Sequence, residues 1–195
     1  MANAVILPGE RLAGLSADLF HKLQAGSLTL DELALFTQRK NPFEVVSDTT
    51  VIFRLTVNYS QTLEQMITAG QYDWKNDDIT AKRFLIKGDG IVEFEARYFH
   101  FISSEDAIKK IEAADTANPW SAAKMEHVLS HGKTFSEEQR KFPIVGLGSV
   151  ARVSGGRRVP CLDGGVSERS LGLGWFDDGW DSDYRFLAVR KVSAS

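Results

Sequence analysis

Apolar positions recur along this chain with two different periods. Leu12, Leu15, Leu19 and Leu23 fall at helical spacing, and Gly26 follows as a stop. A second helix is expected from Thr29. Thr29 and Glu32 carry a capping-box pattern, in which each side chain satisfies an orphan amide of the first turn. Leu30, Leu33 and Phe36 make its apolar stripe, and Asn41-Pro42 ends it, because the proline ring disfavours helical geometry in the residue before it. The pattern therefore predicts a helical hairpin over residues 1–43 and a separate domain over residues 44–195.

In that second region the period changes to two. Val51, Phe53, Leu55, Val57 and Tyr59 share one face of a predicted strand. A short helix over Thr62 to Ala69 stops at Gly70, and the polar segment after it holds a single tryptophan, Trp74. In residues 91–101, Val92, Phe94, Ala96 and Tyr98 oppose Glu93, Glu95 and Arg97. Phe99 and Phe101 break the polar face, which predicts that this end is covered on both sides. Two helices follow, near 103–114 with Ser103 as cap and near 120–131 before Gly132. Thereafter FPIVGLGSVARV, RRVPCL, RSLGLGWF and YRFLAVR are short β-type runs between Gly, Ser and Asp. A strand, two helices and then a run of strands predict an α+β fold with a mostly antiparallel, short-stranded sheet.

Composition narrows the partners. The chain has 195 residues, 43% hydrophobic and 25% charged, enough for one core and a small helical appendage. Its net charge is -3, so no broad basic field exists and nucleic acid is not an expected partner. No apolar run reaches the length of a membrane span, and MANAVILPGERLAG lacks the basic start of a secretory signal. The expectation is a cytoplasmic protein without membrane contact. Cys161 is the single cysteine, flanked by apolar neighbours, and is expected to be buried and inert.

Most tempting motifs fail on their chemistry. Gly146-Leu147-Gly148-Ser149-Val150-Ala151 matches a dinucleotide fingerprint, but the following RVSGGRRVP cannot start the helix that would meet a pyrophosphate. Gly132-Lys133-Thr134 resembles the end of a phosphate loop, yet His127 stands where the first glycine is needed. His127 and His131, four apart, lie on one helix face and are candidate metal ligands for a metal-dependent enzyme. The bland alternative is a pair of surface histidines at a helix end, favoured by the dipole. The stretch from Leu171 to Lys191 offers a binding loop instead. Asp177, Asp178, Asp181 and Asp183 crowd together, and oxygen ligands in a loop suit calcium. Trp175 alternates inward with Leu171 and Leu173 and is expected in the core, whereas Trp180 and Tyr184 are expected on the surface as recognition aromatics.

PIVGLGS, RRVPCL, LGLGWF and GWDSDYRFLAVRK, with LTLDELALFTQRKNPF and YDWKNDDIT, resemble a group of bacterial proteins without an assigned function. More distantly, the order of elements is similar to the C-type-lectin-like fold. That resemblance implies that residues 91–101 form the first strand, that the helices near 103–114 and 120–131 follow, and that YRFLAVR closes the sheet beside the first strand. Trp180-Asp181-Ser182-Asp183 stands where lectins of this fold carry a Trp-Asn-Asp calcium loop, without their disulfides. Some bacterial relatives oxidise a sulfatase cysteine, but their metal-binding cysteines have no match here. Others are variable binding proteins of diversity-generating retroelements, which resemblance implies a replaceable surface near the C-terminus.

The resulting expectation is a non-catalytic module that binds a protein or a small ligand through loops 163–184. Asp177, Asp178, Trp180, Asp181, Asp183 and Tyr184 are its site residues, with no cofactor beyond candidate calcium. The alternatives are the metal enzyme at His127 and His131, and an interaction protein that docks, or forms a homo-oligomer, through the N-terminal helices.

Overall fold

The structure, a computed structural model, describes residues 51–100 and 103–192, together with residues 17 and 19–24. The chain divides into two compact units, residues 1–45 and 46–195. Residues 17 and 19–24 are helical. The rest of the expected hairpin lies outside the described residues.

The second unit is α+β. Its strands are β1 (Phe53–Asn58), β2 (Trp74–Lys75), β3 (Ile91–Phe99), β4 (Ser121–Ala122), β5 (Ile144–Val145), β6 (Ala151–Val153), β7 (Gly156–Gly164), β8 (Arg169–Trp175) and β9 (Arg185–Lys191). Its helices are α1 (Leu63–Gly70), α2 (Ser104–Ala113) and α3 (Met125–Thr134), with a 3-10 turn at Glu138–Arg140. All nine strands join one sheet in the order β1-β3-β9-β5-β7-β8-β2, with β4 added on β9 and β6 on β7. Only β2 with β8 and β5 with β9 pair in parallel among the described residues. The long central pair is β3 with β9, antiparallel from Phe94↔Lys191 to Phe99↔Phe186.

Side chains opposite one another in paired strands share a face, so the registers sort the core into two layers. One face carries Leu55, Phe94, Leu162, Leu171 and Leu187, and α1 and α3 cover it with Leu63, Met66, Val128 and Leu129. The other carries Phe99, Val145, Cys161, Phe186 and Ala188, and α2 covers it with Ala107 and Ile111. Phe99 is buried in this second layer, as its break in the polar alternation requires.

Local chemistry fixes the helix ends. Thr62 Oγ1 accepts from the Gln65 amide at 3.2 Å while Gln65 Oε1 accepts from the Thr62 amide at 2.9 Å, a complete capping box. Ser103 Oγ accepts from the Asp106 amide at 3.3 Å and starts α2. The expected helix near 120–131 is displaced: it begins at Met125 and runs to Thr134. Trp120 is buried instead between the guanidinium groups of Arg97 and Arg190, 4.7 and 4.4 Å from its ring, and Ser121–Ala122 adds to β9. Burying that ring outweighs one more helical turn. Around the rejected dinucleotide motif the chain forms β5, a turn and β6. Ser154 and Gly155, both at positive φ, then close a two-residue hairpin into β7.

Candidate functional site

Residues 176–184 do not form one exposed loop. Trp180, expected on the surface, is 7% exposed. Its indole N–H donates to Ser104 Oγ at 2.8 Å, and its ring meets Tyr184 and Phe186 at 4.9 and 5.6 Å between centroids. Gly174 makes the room, since a Cβ there would lie 2.6 Å from the indole. Trp180 thus fills the α2 layer of the core, where a large ring with a satisfied N–H is most stable. Trp175, expected inside, is 40% exposed. It is the last residue of β8, where the core ends, and it lies flat on Gly156 with the Arg158 guanidinium 3.1 Å above its ring. The two tryptophans exchange the expected roles.

The aspartates do not converge either. Asp177 pairs with Arg157, whose Nε donates to its carboxylate at 2.8 Å and whose guanidinium also meets Glu105. That partner holds the exposed Asp177 carboxyl below the usual range. Asp178 is exposed. The Asp181 carbonyl accepts from the Tyr184 amide at 3.2 Å, which folds Asp181–Tyr184 into a turn. Asp183 lines a shallow cleft of about 210 Å³ with Arg140, Lys141 and Asp163. No three His, Cys, Asp or Glu side chains gather as a metal site among the described residues. Asp177 is thus held by Arg157, whereas Asp181 and Asp183 belong to the turn before β9.

The registers assemble a different surface on the α2 side of the sheet. Trp74 faces Ser170, and Ser170 faces Asp163. Continuing the β5 ladders by one residue from Ile144↔Leu162 and Ile144↔Arg185 adds Pro143 and then Tyr184 to the same row. The row Trp74-Ser170-Asp163-Pro143-Tyr184 crosses four strand spacings, roughly 19 Å. Its floor is low: Gly172 is the next residue toward the core, with the Trp74 ring 3.9 Å from where its Cβ would stand. Trp74 is 55% exposed and Tyr184 half-buried. Asp163, Asp181 and Asp183 are exposed; burial first, then Cys161 and the charges of these three aspartates, raise the Tyr184 phenol above its ordinary pKa. None of Asp163, Asp181 and Asp183 has a basic side chain within ion-pair distance among the described residues, whereas Lys141 is held by Glu138 and Arg140 by Glu137 and loop carbonyls. Trp74 and Asp163 thus join Asp181, Asp183 and Tyr184, while Asp177, Asp178 and Trp180 fall away from this row. The sequence offers one signal for Trp74, a lone tryptophan in a polar segment. Asp163 stands at the start of the expected loops 163–184 but is not among the expected site residues; its place in the row comes through strand register.

His127 and His131 do share one face of α3, but that face packs on the sheet. Both are buried, and burial lowers each pKa to about 3, so they are neutral rather than surface cations. His127 Nδ1 accepts from the Lys124 amide at 3.0 Å, which leaves the proton on Nε2, 3.5 Å from the Tyr59 hydroxyl. His131 Nε2 lies 2.8 Å from the Tyr98 hydroxyl, and its ring sits among Phe53, Tyr98 and Phe135. Each imidazole serves a different tyrosine, and no acid joins them among the described residues. The two candidate ligands, expected otherwise as surface histidines, are core residues. Cys161 is buried, and burial pushes its thiol up to about 12.

No described helix is long and apolar enough to cross a membrane. No protein-family model matches the chain, and comparison with curated proteins and with solved structures found no match.

Proposed function

We propose that this chain is a non-catalytic binding module of C-type-lectin-like architecture, and that its ligand is an extended, positively charged segment of a protein partner. The architecture is supported by the antiparallel pairing of β3 with β9, the two helices that follow β3, and the short strands β5 to β8 before the closing strand. The observation that carries the ligand is the row from Trp74 to Tyr184. Two aromatic side chains stand at the ends of a low Ser-Asp-Pro floor, with the Asp163 carboxylate at its middle and those of Asp181 and Asp183 beside the Tyr184 end, none of the three ion-paired among the described residues. Aromatic faces and carboxylates together attract Lys and Arg side chains by cation–π and charge interactions, and roughly 19 Å accommodates about six extended residues. Loops 163–184 remain the binding region, with Trp74 of β2 added and Trp180 acting as the support beneath.

Panning a random-peptide display library on the whole protein tests this. Lys- and Arg-bearing peptides should be enriched, and enrichment should vanish on the Trp74→Ala/Tyr184→Ala double variant. Enrichment that survives the double variant, or that selects acidic peptides, would overturn the reading, as would no enrichment at all.

A further inference from the structure

A second site lies on the opposite face of the sheet, where α3 begins. A cavity of about 660 Å³ opens there, a size that suits a small organic ligand. Its floor is apolar: Val92 and Phe94 from β3 and Val189 from β9. Its rim is cationic. Lys87, Lys124 and Lys191 line it, and no carboxylate stands within ion-pair distance of any of them among the described residues. Arg190 also lines it, but Glu95 and Asp115, at 2.8 and 2.9 Å, already neutralise that side chain. Against the three ammonium groups the lining holds one carboxylate, Asp89.

One polar group in this cavity is built in from below. The Lys124 amide donates to His127 Nδ1, so the His127 proton is on Nε2 and points at the Tyr59 oxygen. That leaves the Tyr59 O–H free to donate into the cavity. The loop before β3 fixes the phenol in place: the Tyr59 amide donates to the Gly90 carbonyl at 2.8 Å, and Gly88 lies so close to the Tyr59 ring that any Cβ would collide with it. His127 is 5% exposed and Tyr59 half-buried, so the donor is oriented by the core rather than by solvent. With the His127 pKa lowered to about 3 and the Tyr59 phenol raised to about 12, both stay neutral at ordinary pH, and the donor direction does not change.

We infer that this cavity binds a small organic anion with a flat or aliphatic apolar body, its anionic group held by Lys87, Lys124, Lys191 and the Tyr59 hydroxyl, its body on Phe94 and Val189. An unpaired cationic rim over an apolar floor favours that chemistry, because the anion finds its counter-charges while the body leaves water. This site is separate from the Trp74–Tyr184 row, and either can fail without the other.

The probe is 8-anilinonaphthalene-1-sulfonate, followed by its fluorescence, with uncharged N-phenyl-1-naphthylamine as the control. The wild-type chain should bind one sulfonate saturably. Lys124→Glu/Lys191→Glu should weaken it at least tenfold while changing the affinity for the uncharged probe less than twofold and leaving the thermal midpoint unchanged. Tyr59→Phe should weaken the sulfonate severalfold, and Val92→Trp should exclude both probes by filling the cavity. A wild-type chain that does not bind the sulfonate would overturn the inference. So would binding that ignores the charge reversal, or a folded Val92→Trp variant that still binds.

Discussion

Single side chains divide here into those that hold the fold and those that face outward, and the two tryptophans near β8 show the division. Trp180 fills the α2 layer and its N–H is satisfied by Ser104. Trp180→Ala should therefore cost about 3–5 kcal/mol in urea unfolding, in the range of large-ring truncations. Trp74→Ala should stay within about 0.5 kcal/mol, because its ring is mostly in water. Equal losses at the two positions would contradict the assignment of one to the core and the other to the surface. The histidines give a pH dependence. Burial lowers both His127 and His131 to about 3, whereas the unfolded chain takes up these protons near pH 6.5. The unfolded state thus binds more protons below that value, so stability is full above about pH 6.5 and falls as pH drops toward 3. Each histidine contributes a slope of up to about 1.4 kcal/mol per pH unit in that window. The buried Glu126 carboxyl, raised by desolvation, opposes this at the acidic end. Urea unfolding from pH 7 to pH 4 checks it, and His131→Phe should remove about one proton's worth of slope. A flat profile would mean that the imidazoles are not held neutral.

Between elements, one buried arginine joins three parts of the fold. Arg169, first residue of β8, donates to the Gly70 carbonyl at the end of α1 at 2.8 Å and to the Gly132 carbonyl in α3 at 2.6 Å. It also donates to Gln139 Oε1 at 3.0 Å, and the Gln139 amide in turn holds the Asp163 and Ser170 carbonyls. Among the described residues no carboxylate accepts from its guanidinium. The helix-end carbonyls and the negative ends of two helix dipoles take that place. Arg169→Met should cost about 3 kcal/mol or more, since it strips several buried acceptors at once. It should also loosen the proposed row at Ser170 and Asp163, read as faster amide exchange at Gly164 and Ser170. Loss of stability without that exchange would place the clamp's effect elsewhere. At the same scale, no three acidic side chains gather among the described residues, so added calcium should leave the unfolding midpoint where chelator leaves it. A ligand confined to the folded state would raise it.

For the whole molecule, the order of the longer elements was legible because each has its own period, whereas the two-residue strands β2 and β4 were not. The alternation of Val92, Phe94, Ala96 and Tyr98 gave β3, and Thr62 and Ser103 announced their helices through capping chemistry. What the pattern could not supply is pairing. Trp180 reads as a loop residue because acids surround it, and the partner of its indole N–H, Ser104, is distant in sequence while Gly174 leaves room for the ring. His127 and His131 carry metal-like spacing because an inward helix face and a ligand-bearing one look the same in one dimension. Asp163 and Trp74, far apart in sequence, meet through β8. The proposed binding face is a product of sheet order, which local sequence does not encode. The most direct test of that face is to titrate the isotope-labelled protein with a tetralysine peptide and follow amide and indole shifts. The expected result is a saturable set of shifts at the Trp74 indole, Asp163, Ser170 and Tyr184, with Trp180 little changed. Shifts centred on Asp177 and Asp178, or no shift along the row, would contradict it.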